Sequence, residues 1–233
     1  MTESLKERAY IRLVEKLVTG EFSPGDRLSN RALATEMGMS VIPVREAVSQ
    51  LQSEGLVEHR SGVGSFVPSQ SYEELLEIYE LRELIESNAA GRAAHLVTEI
   101  ELGEMKSCVD EAILLIQQLE ESERLKRSPE LLARWSKMDA KFHDNVMLAA
   151  GNRRAIEIVR RLRSMSRIFG QRLAYTPLER FQQALVGHRC ILEAIERGDS
   201  EEAKKSMADH VRSGWQSLLQ LHRRDRLRAT PRS

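Results

Sequence analysis

The apolar positions of this chain fall into two textures. Between residues 4 and 19, Leu5, Ala9, Leu13 and Leu17 recur every four residues, the period of a helix that buries one face. Gly20 stops the pattern, and Phe22-Ser23-Pro24-Gly25-Asp26 is turn chemistry. A short second helix is predicted behind Ser29 or Asn30 as N-cap. It carries Leu33, Ala34 and Met37 and is closed by Gly38. A third is predicted behind Ser40, with Val44, Ala47, Val48 and Leu51 on one stripe and its end at Glu54-Gly55. Pro43 falls in its first turn, where the missing N–H costs little. Two short β runs, 56–60 and 65–68, flank Ser61-Gly62-Val63-Gly64 and predict a hairpin. Three short helices followed by a hairpin make a winged helix-turn-helix over residues 1–68.

Residues 69–71, after Pro68, read as a linker, and the texture then changes. Six long amphipathic segments follow, roughly 72–96, 99–124, 129–150, 153–174, 177–197 and 199–222. Their breaks carry turn signals at Thr98, Ser128-Pro129, Gly151-Asn152, Thr176-Pro177 and Gly198-Asp199. None needs a strand, so residues 72–222 are expected to form an antiparallel six-helix bundle. The predicted fold class is mainly α, with an N-terminal winged helix-turn-helix and a C-terminal antiparallel six-helix bundle. Residues 223–233 hold five Arg against one Asp with no apolar period, and read as a basic tail.

Composition narrows the function classes. Apolar residues are 41% of 233, enough for a real core, and the low aromatic content of 5% disfavours an all-β sandwich or barrel. Cys108 and Cys190 leave little room for a disulfide framework or a thiolate metal site. No run approaches the roughly 20 apolar residues that span a bilayer. The N-terminus lacks a basic-then-apolar signal, so a soluble cytoplasmic protein without membrane partners is expected. Basic and acidic residues number 35 each, which argues against a globally basic, histone-like binder. By segment the balance is eight basic to nine acidic in 1–68, 22 to 25 in 69–222, and five to one in the tail.

The informative polar residues are those lying on apolar stripes. In the first bundle helix Arg82 sits four after Ile78 and three before Ile85. In the third, with Leu132, Trp135, Val146 and Ala150, Asp139 and His143 share one face at a spacing of four. In the fifth, Phe181, Leu185, Ile191, Leu192 and Ile195 surround His188; in the last, Ala203, Met207, Gly214 and Leu218 surround His210. A single His on such a stripe is more often a hydrogen-bonded core residue than a ligand, and a lone Arg usually snorkels or pairs with a neighbour such as Glu86. Five such positions on four helices carry more weight, because buried charge is costly unless it is compensated. Three imidazoles and one carboxylate are a borderline donor set suited to Zn, Ni, Mn or Fe rather than Ca or Mg. Three neutral His, one Asp and a divalent cation leave net positive charge, and Arg82 adds to it. Such a site should attract a small carboxylate.

At this point the chain resembles the GntR type of bacterial transcriptional regulator. The matching residues are Pro24-Gly25-Asp26-Arg27-Leu28-Ser29, Leu33-Ala34, Met37-Gly38-Met39-Ser40, Pro43-Val44-Arg45-Glu46-Ala47-Val48, Leu51, Glu54-Gly55-Leu56-Val57 and the wing Gly62-x-Gly64-x-Phe66-Val67. The helical part resembles the ligand-binding FCD domain of the FadR branch. Its marks are Leu81-Arg82-x-x-Ile85-Glu86, Asp139-x-x-Phe142-His143, His188-x-x-Ile191-Leu192 with Gly198-Asp199, and Met207-x-x-His210. The resemblance implies a divalent metal held by Asp139, His143, His188 and His210. It also implies a recognition helix whose N-terminal end enters the major groove, with Arg31 and Arg45 at DNA-contacting positions, Ser40 within reach of a phosphate, and Gly62 letting the wing backbone approach the minor groove. Where many relatives have Arg after the position of Ser40, this chain has Val41 and then Ile42. An apolar contact, such as one to a thymine methyl, would replace a polar one there.

The expected protein is a homodimeric regulator, a repressor by preference, bound to a palindromic operator in double-stranded DNA and controlled by a small carboxylate. A purely structural metal and a metal-dependent hydrolase are the alternatives. The hydrolase lacks an obvious general base beside the ligands. A di-iron carboxylate bundle would need paired Glu-x-x-His motifs, which are absent from the sequence.

Overall fold

A computed structural model describes residues 4–18, 20–68, 71–121, 129–170 and 178–229. The chain divides into two compact units: Met1–Leu75 together with Ser164–Arg172, and Leu76–Arg163 together with Leu173–Ser233.

In the first unit, helix α1 (Leu5–Val18) buries Ala9, Leu13 and Leu17 of its apolar period, while Leu5 at its first position is exposed. Helices α2 (Asn30–Met37) and α3 (Val41–Ser53) form the helix-turn-helix. Ser29 is the N-cap of α2, its Oγ accepting from the Ala32 N–H at 3.4 Å. Gly38 ends α2 at φ 63°, a left-handed conformation that costs glycine nothing and sends the chain sharply into α3. Ser40 is the N-cap of α3 by position, but its side chain makes no capping bond. The physical reason lies three residues on. The N3 residue, whose N–H a capping oxygen usually takes, is Pro43, which has none.

The expected hairpin is strand β2 (Glu58–Arg60) paired antiparallel with β3 (Gly64–Phe66), Arg60 opposite Gly64 and Glu58 opposite Phe66. A third strand was not foreseen. A two-residue β1 (Arg27–Leu28) pairs with the other edge of β3, giving the order β1-β3-β2. The sheet ties the segment before the helix-turn-helix to the wing after it.

After the wing the chain runs through α4 (Tyr72–Leu96), α5 (Glu99–Glu121), α6 (Pro129–Ala149), α7 (Arg153–Gly170), α8 (Leu178–Glu196) and α9 (Ser200–Ala229), so all six expected helices are present. The turn signals act as caps. Thr98 and Glu101 exchange side chain-to-backbone bonds ahead of α5. Asn152 accepts from the Ala155 N–H ahead of α7, and Asp199 from the Glu202 N–H ahead of α9. Residues 69–70 of the expected linker, the Ser128 and Thr176-Pro177 breaks, and 230–233 of the expected tail lie outside the described residues. Helix α9 continues through Ala229, into the segment expected as a tail. One core cluster joins α4, α6 and α7 through Ala89, Met147, Ala150, Ile156 and Val159. Another joins α5, α6 and α8 through Leu115, Ile116, Leu119, Leu131 and Phe181. The polar centre is built from α4, α6, α7, α8 and α9.

Candidate metal centre and nucleic-acid interface

The four sequence-selected ligands converge. Asp139 and His143 come from α6, His188 from α8 and His210 from α9, and one donor atom from each lies within 4.8 Å of the others. The helical spacing puts Asp139 and His143 one turn apart on one face. His143 Nε2 and His210 Nε2 are 3.1 Å apart, and His188 Nε2 is 3.3 Å from Asp139 Oδ1. His143 and His188 are fully buried, while Asp139 and His210 are partly so.

Two observations test whether these residues suit a metal. His143 Nδ1 faces the Glu86 carboxylate at 2.5 Å. An ionised carboxylate only accepts, so Nδ1 carries the proton and Nε2 presents a lone pair toward the other ligands. Both ring nitrogens of His188 are buried without a hydrogen-bond partner among the described residues. A buried polar atom left unsatisfied costs about 1–3 kcal/mol. A His210 N–H could satisfy His143, but it would leave His188 unanswered. A shared cation would take one lone pair from each imidazole, answering one of the two His188 nitrogens, and the donor set of three nitrogens and one oxygen fits a borderline divalent ion.

Electrostatics keep the donors ready. Burial pushes the Asp139 carboxyl up, but the Arg163 guanidinium and the neighbouring imidazoles outweigh it and hold it well below the usual carboxylate range. Burial and the Arg163 charge bring His143 down to about 4, against the opposing pull of Glu86. Burial and the other two imidazoles likewise hold His210 well below its usual value. A deprotonated carboxylate and neutral imidazoles are the forms that bind metal.

Arg82 lies where its stripe put it, buried on α4 beside this centre. Its Nε donates to Glu86 Oε1 at 2.7 Å, and its guanidinium lies 4.9 Å from the centre of the Tyr79 ring. The pairing with Glu86 weighed from the sequence is therefore present. Two residues complete the network: Glu86, read from the sequence only as a neighbour of Arg82, and Arg163, which the sequence did not single out. Glu86 is fully buried and also receives Arg163 Nη1 at 3.3 Å. Arg163 donates through Nη2 to Asp139 Oδ2 at 2.7 Å. Both obey the stripe rule that found the others. Glu86 is four after Arg82 and three before Ala89, and Arg163 is four after Val159 and seven after Ile156.

The residues expected to contact DNA lie on the surface of the first unit. Arg31, in the first turn of α2, and Arg45, on α3, are exposed and make no ion pair among the described residues. Ser40 is exposed at the N-terminus of α3, and its hydroxyl is not used for capping. Val41 is 40% and Ile42 60% exposed, side by side at the N-terminal end of α3. Gly62 sits at the wing turn with φ 72°, and a Cβ there would meet nothing, so the backbone conformation alone calls for glycine.

A winged helix-turn-helix joined to an all-α domain with a buried His/Asp centre is the layout of a DNA-binding transcriptional regulator. Residues 5–67 match the model of the bacterial regulatory proteins of the gntR family, and residues 77–213 match the FCD domain. The chain belongs to the GntR family and carries an FCD domain. It is 27% identical over 209 residues to the uncharacterized HTH-type transcriptional regulator YdhC of Bacillus subtilis, covering 90% of this chain and 88% of that one. It is 22% identical over 221 residues to the HTH-type transcriptional repressor RspR of Escherichia coli K12, covering 94% and 91%. Among solved structures, E. coli McbR/YncC has a TM-score of 0.76 at 23% identity, covering 96% of this chain and 99% of that one. A GntR regulator from Rhodococcus sp. RHA1 has a TM-score of 0.71 at 22% identity, covering 92% and 97%. The structural likeness establishes the fold. The family and its relatives are transcriptional regulators rather than enzymes, so the hydrolase alternative lapses. Among the described residues no helix is long and apolar enough to cross a membrane.

Proposed function

We propose that this protein is a cytoplasmic homodimeric repressor. It binds a palindromic operator in double-stranded DNA and is controlled by a small carboxylate held at a divalent metal in the FCD domain. The convergence of Asp139, His143, His188 and His210, with His188 Nε2 beside Asp139 and lacking a hydrogen-bond partner, carries the metal part. Asp139 and the three imidazoles would hold Zn, Ni, Mn or Fe. Two carboxylates, the partly buried Asp139 and the fully buried Glu86, are balanced by two guanidiniums, Arg82 and Arg163. The charge of a divalent ion is therefore left over and supplies the attraction for an anion. Arg82 adds a second contact for that anion. The name of the relative RspR, a repressor, supports repression. Two-fold symmetry of a dimer matches the two-fold symmetry of a palindromic site. Arg31, Ser40, Val41, Ile42, Arg45 and Gly62 form the DNA-contact set.

Protein purified without added metal should contain a bound transition metal, and the His143→Ala/His188→Ala double variant should lose it. Unchanged metal content in that variant overturns the site. A thermal-shift screen of small mono- and dicarboxylic acids, with and without chelator, tests the effector. A ligand that favours one DNA-binding state must bind the two states differently, and any ligand specific to the native state raises apparent stability. The Arg82–Glu86 ion pair favours a second reading, in which Arg82 only balances Glu86 and the metal is structural. Under that reading chelation lowers the melting temperature and no acid raises it. Under the first, an acid raises it only while metal is bound, and Arg82→Ala weakens that response while leaving basal DNA binding intact.

A further inference from the structure

We infer that Glu86 and Arg163 are positioning residues that decide which atoms of His143 and Asp139 face the ion. The inference rests on the metal reading above. Each ligand has two atoms that could serve, and in each the outward one is already held. His143 Nδ1 is bonded to Glu86 Oε2, so the ring turns Nε2 inward. Asp139 Oδ2 is bonded to Arg163 Nη2, so Oδ1 is the oxygen nearest His188 and His143. Arg163 Nη1 then reaches Glu86 Oε2 at 3.3 Å and completes a chain of four side chains, His143–Glu86–Arg163–Asp139. The chain spans α4, α6 and α7, so the orientation of both α6 ligands depends on two other helices.

The chemistry suits this role. A metal-bound imidazole generally donates its other N–H to a carboxylate, which fixes the tautomer and orientation of the ring. The planar fork of arginine can bridge two carboxylates, which a lysine ammonium does with poorer geometry. Glu86 is fully buried, and Arg82 on its other oxygen keeps its charge compensated, so it stays an acceptor.

The test uses zinc as the probe and the full chain. Glu86→Gln and Arg163→Lys should each weaken zinc binding about 10–100-fold in competition with a chromogenic chelator. The double variant should lose less than the product of the two, because Glu86 and Arg163 bond to each other and act through one network. Zinc affinities within about twofold of wild type, or losses that multiply cleanly, overturn the inference. A second measurement reads the zinc-loaded wild type itself and so does not depend on whether Glu86→Gln or Arg163→Lys folds. Nitrogen-15 imidazole spectra of the zinc-loaded wild type should show His143 protonated at Nδ1 and ligated through Nε2, its signals identified by their absence in His143→Gln. Ligation through Nδ1 overturns the inference while leaving the metal reading standing. A wild-type protein that takes up no zinc overturns both.

Discussion

His143 is held neutral by its surroundings, and this has a measurable consequence. In the metal-free protein its imidazole titrates near about 4, against 6.5 for an unperturbed histidine. Between those values the unfolded chain takes up a proton that the native state refuses, so native stability falls as pH drops through that window. His210 is shifted the same way. The melting temperature of metal-free protein should decline from about pH 6.5 toward about pH 4, and His143→Gln should flatten the decline. An equally steep decline in the variant would assign it to other groups. The two cysteines differ as sharply. Burial pushes the Cys108 thiol up to about 11, whereas Cys190 is exposed. A thiol reagent at pH 8 should therefore titrate one thiol in the native protein and two in denaturant. Two fast thiols in the native state would contradict this burial. At this scale the ligand candidates were legible because a polar residue among apolar ones at helical spacing stands out. Arg163 was not singled out, because it sits among Arg153, Arg154, Arg160, Arg161 and Arg167, where one inward arginine looks like the rest of a charged helix.

The helices α2 and α3 offer a paired test of capping. Ser29 Oγ accepts a backbone N–H, so Ser29→Ala should cost about 0.5–1 kcal/mol of stability. Ser40 holds the same position ahead of α3 but makes no such bond, because Pro43 lacks the N–H it would take. Ser40→Ala should leave chemical denaturation within about 0.5 kcal/mol of wild type, yet weaken operator binding if the hydroxyl meets a phosphate. A large stability loss would show a cap that forms in solution. Elements with their own periodicity or caps, α1 through α9 and the hairpin, were readable from local sequence. Strand β1 was not, since two residues carry no period and become a strand only by pairing with β3. The length of α9 was also underestimated. Arg and Leu are good helix formers, and 223–229 continue the helix without needing an apolar stripe.

Over the whole molecule the charges cancel, and the DNA-binding segment 1–68 is itself slightly acidic, with eight basic against nine acidic residues. Affinity for an operator must then come from a few placed side chains rather than from a basic field. Arg45→Ala should lose most specific binding in a shift assay at physiological salt, and unchanged affinity would refute the docking of α3. The slope of log K against log salt is about −0.9 per neutralised phosphate, so it should be shallow for a binder relying on Arg31 and Arg45. A steep slope would bring in the basic segment after residue 222 as a phosphate contact.

The sequence by itself determined the two-domain order, six of the bundle's helices and four metal-ligand candidates, because helical period and caps are local properties that survive without a partner. Only the tertiary structure decided that those four donors share one small volume, that Arg82 is engaged with Glu86, and that Glu86 and Arg163 stand behind the ligands. Those are distances between helices far apart in the chain, and no spacing along the sequence measures them.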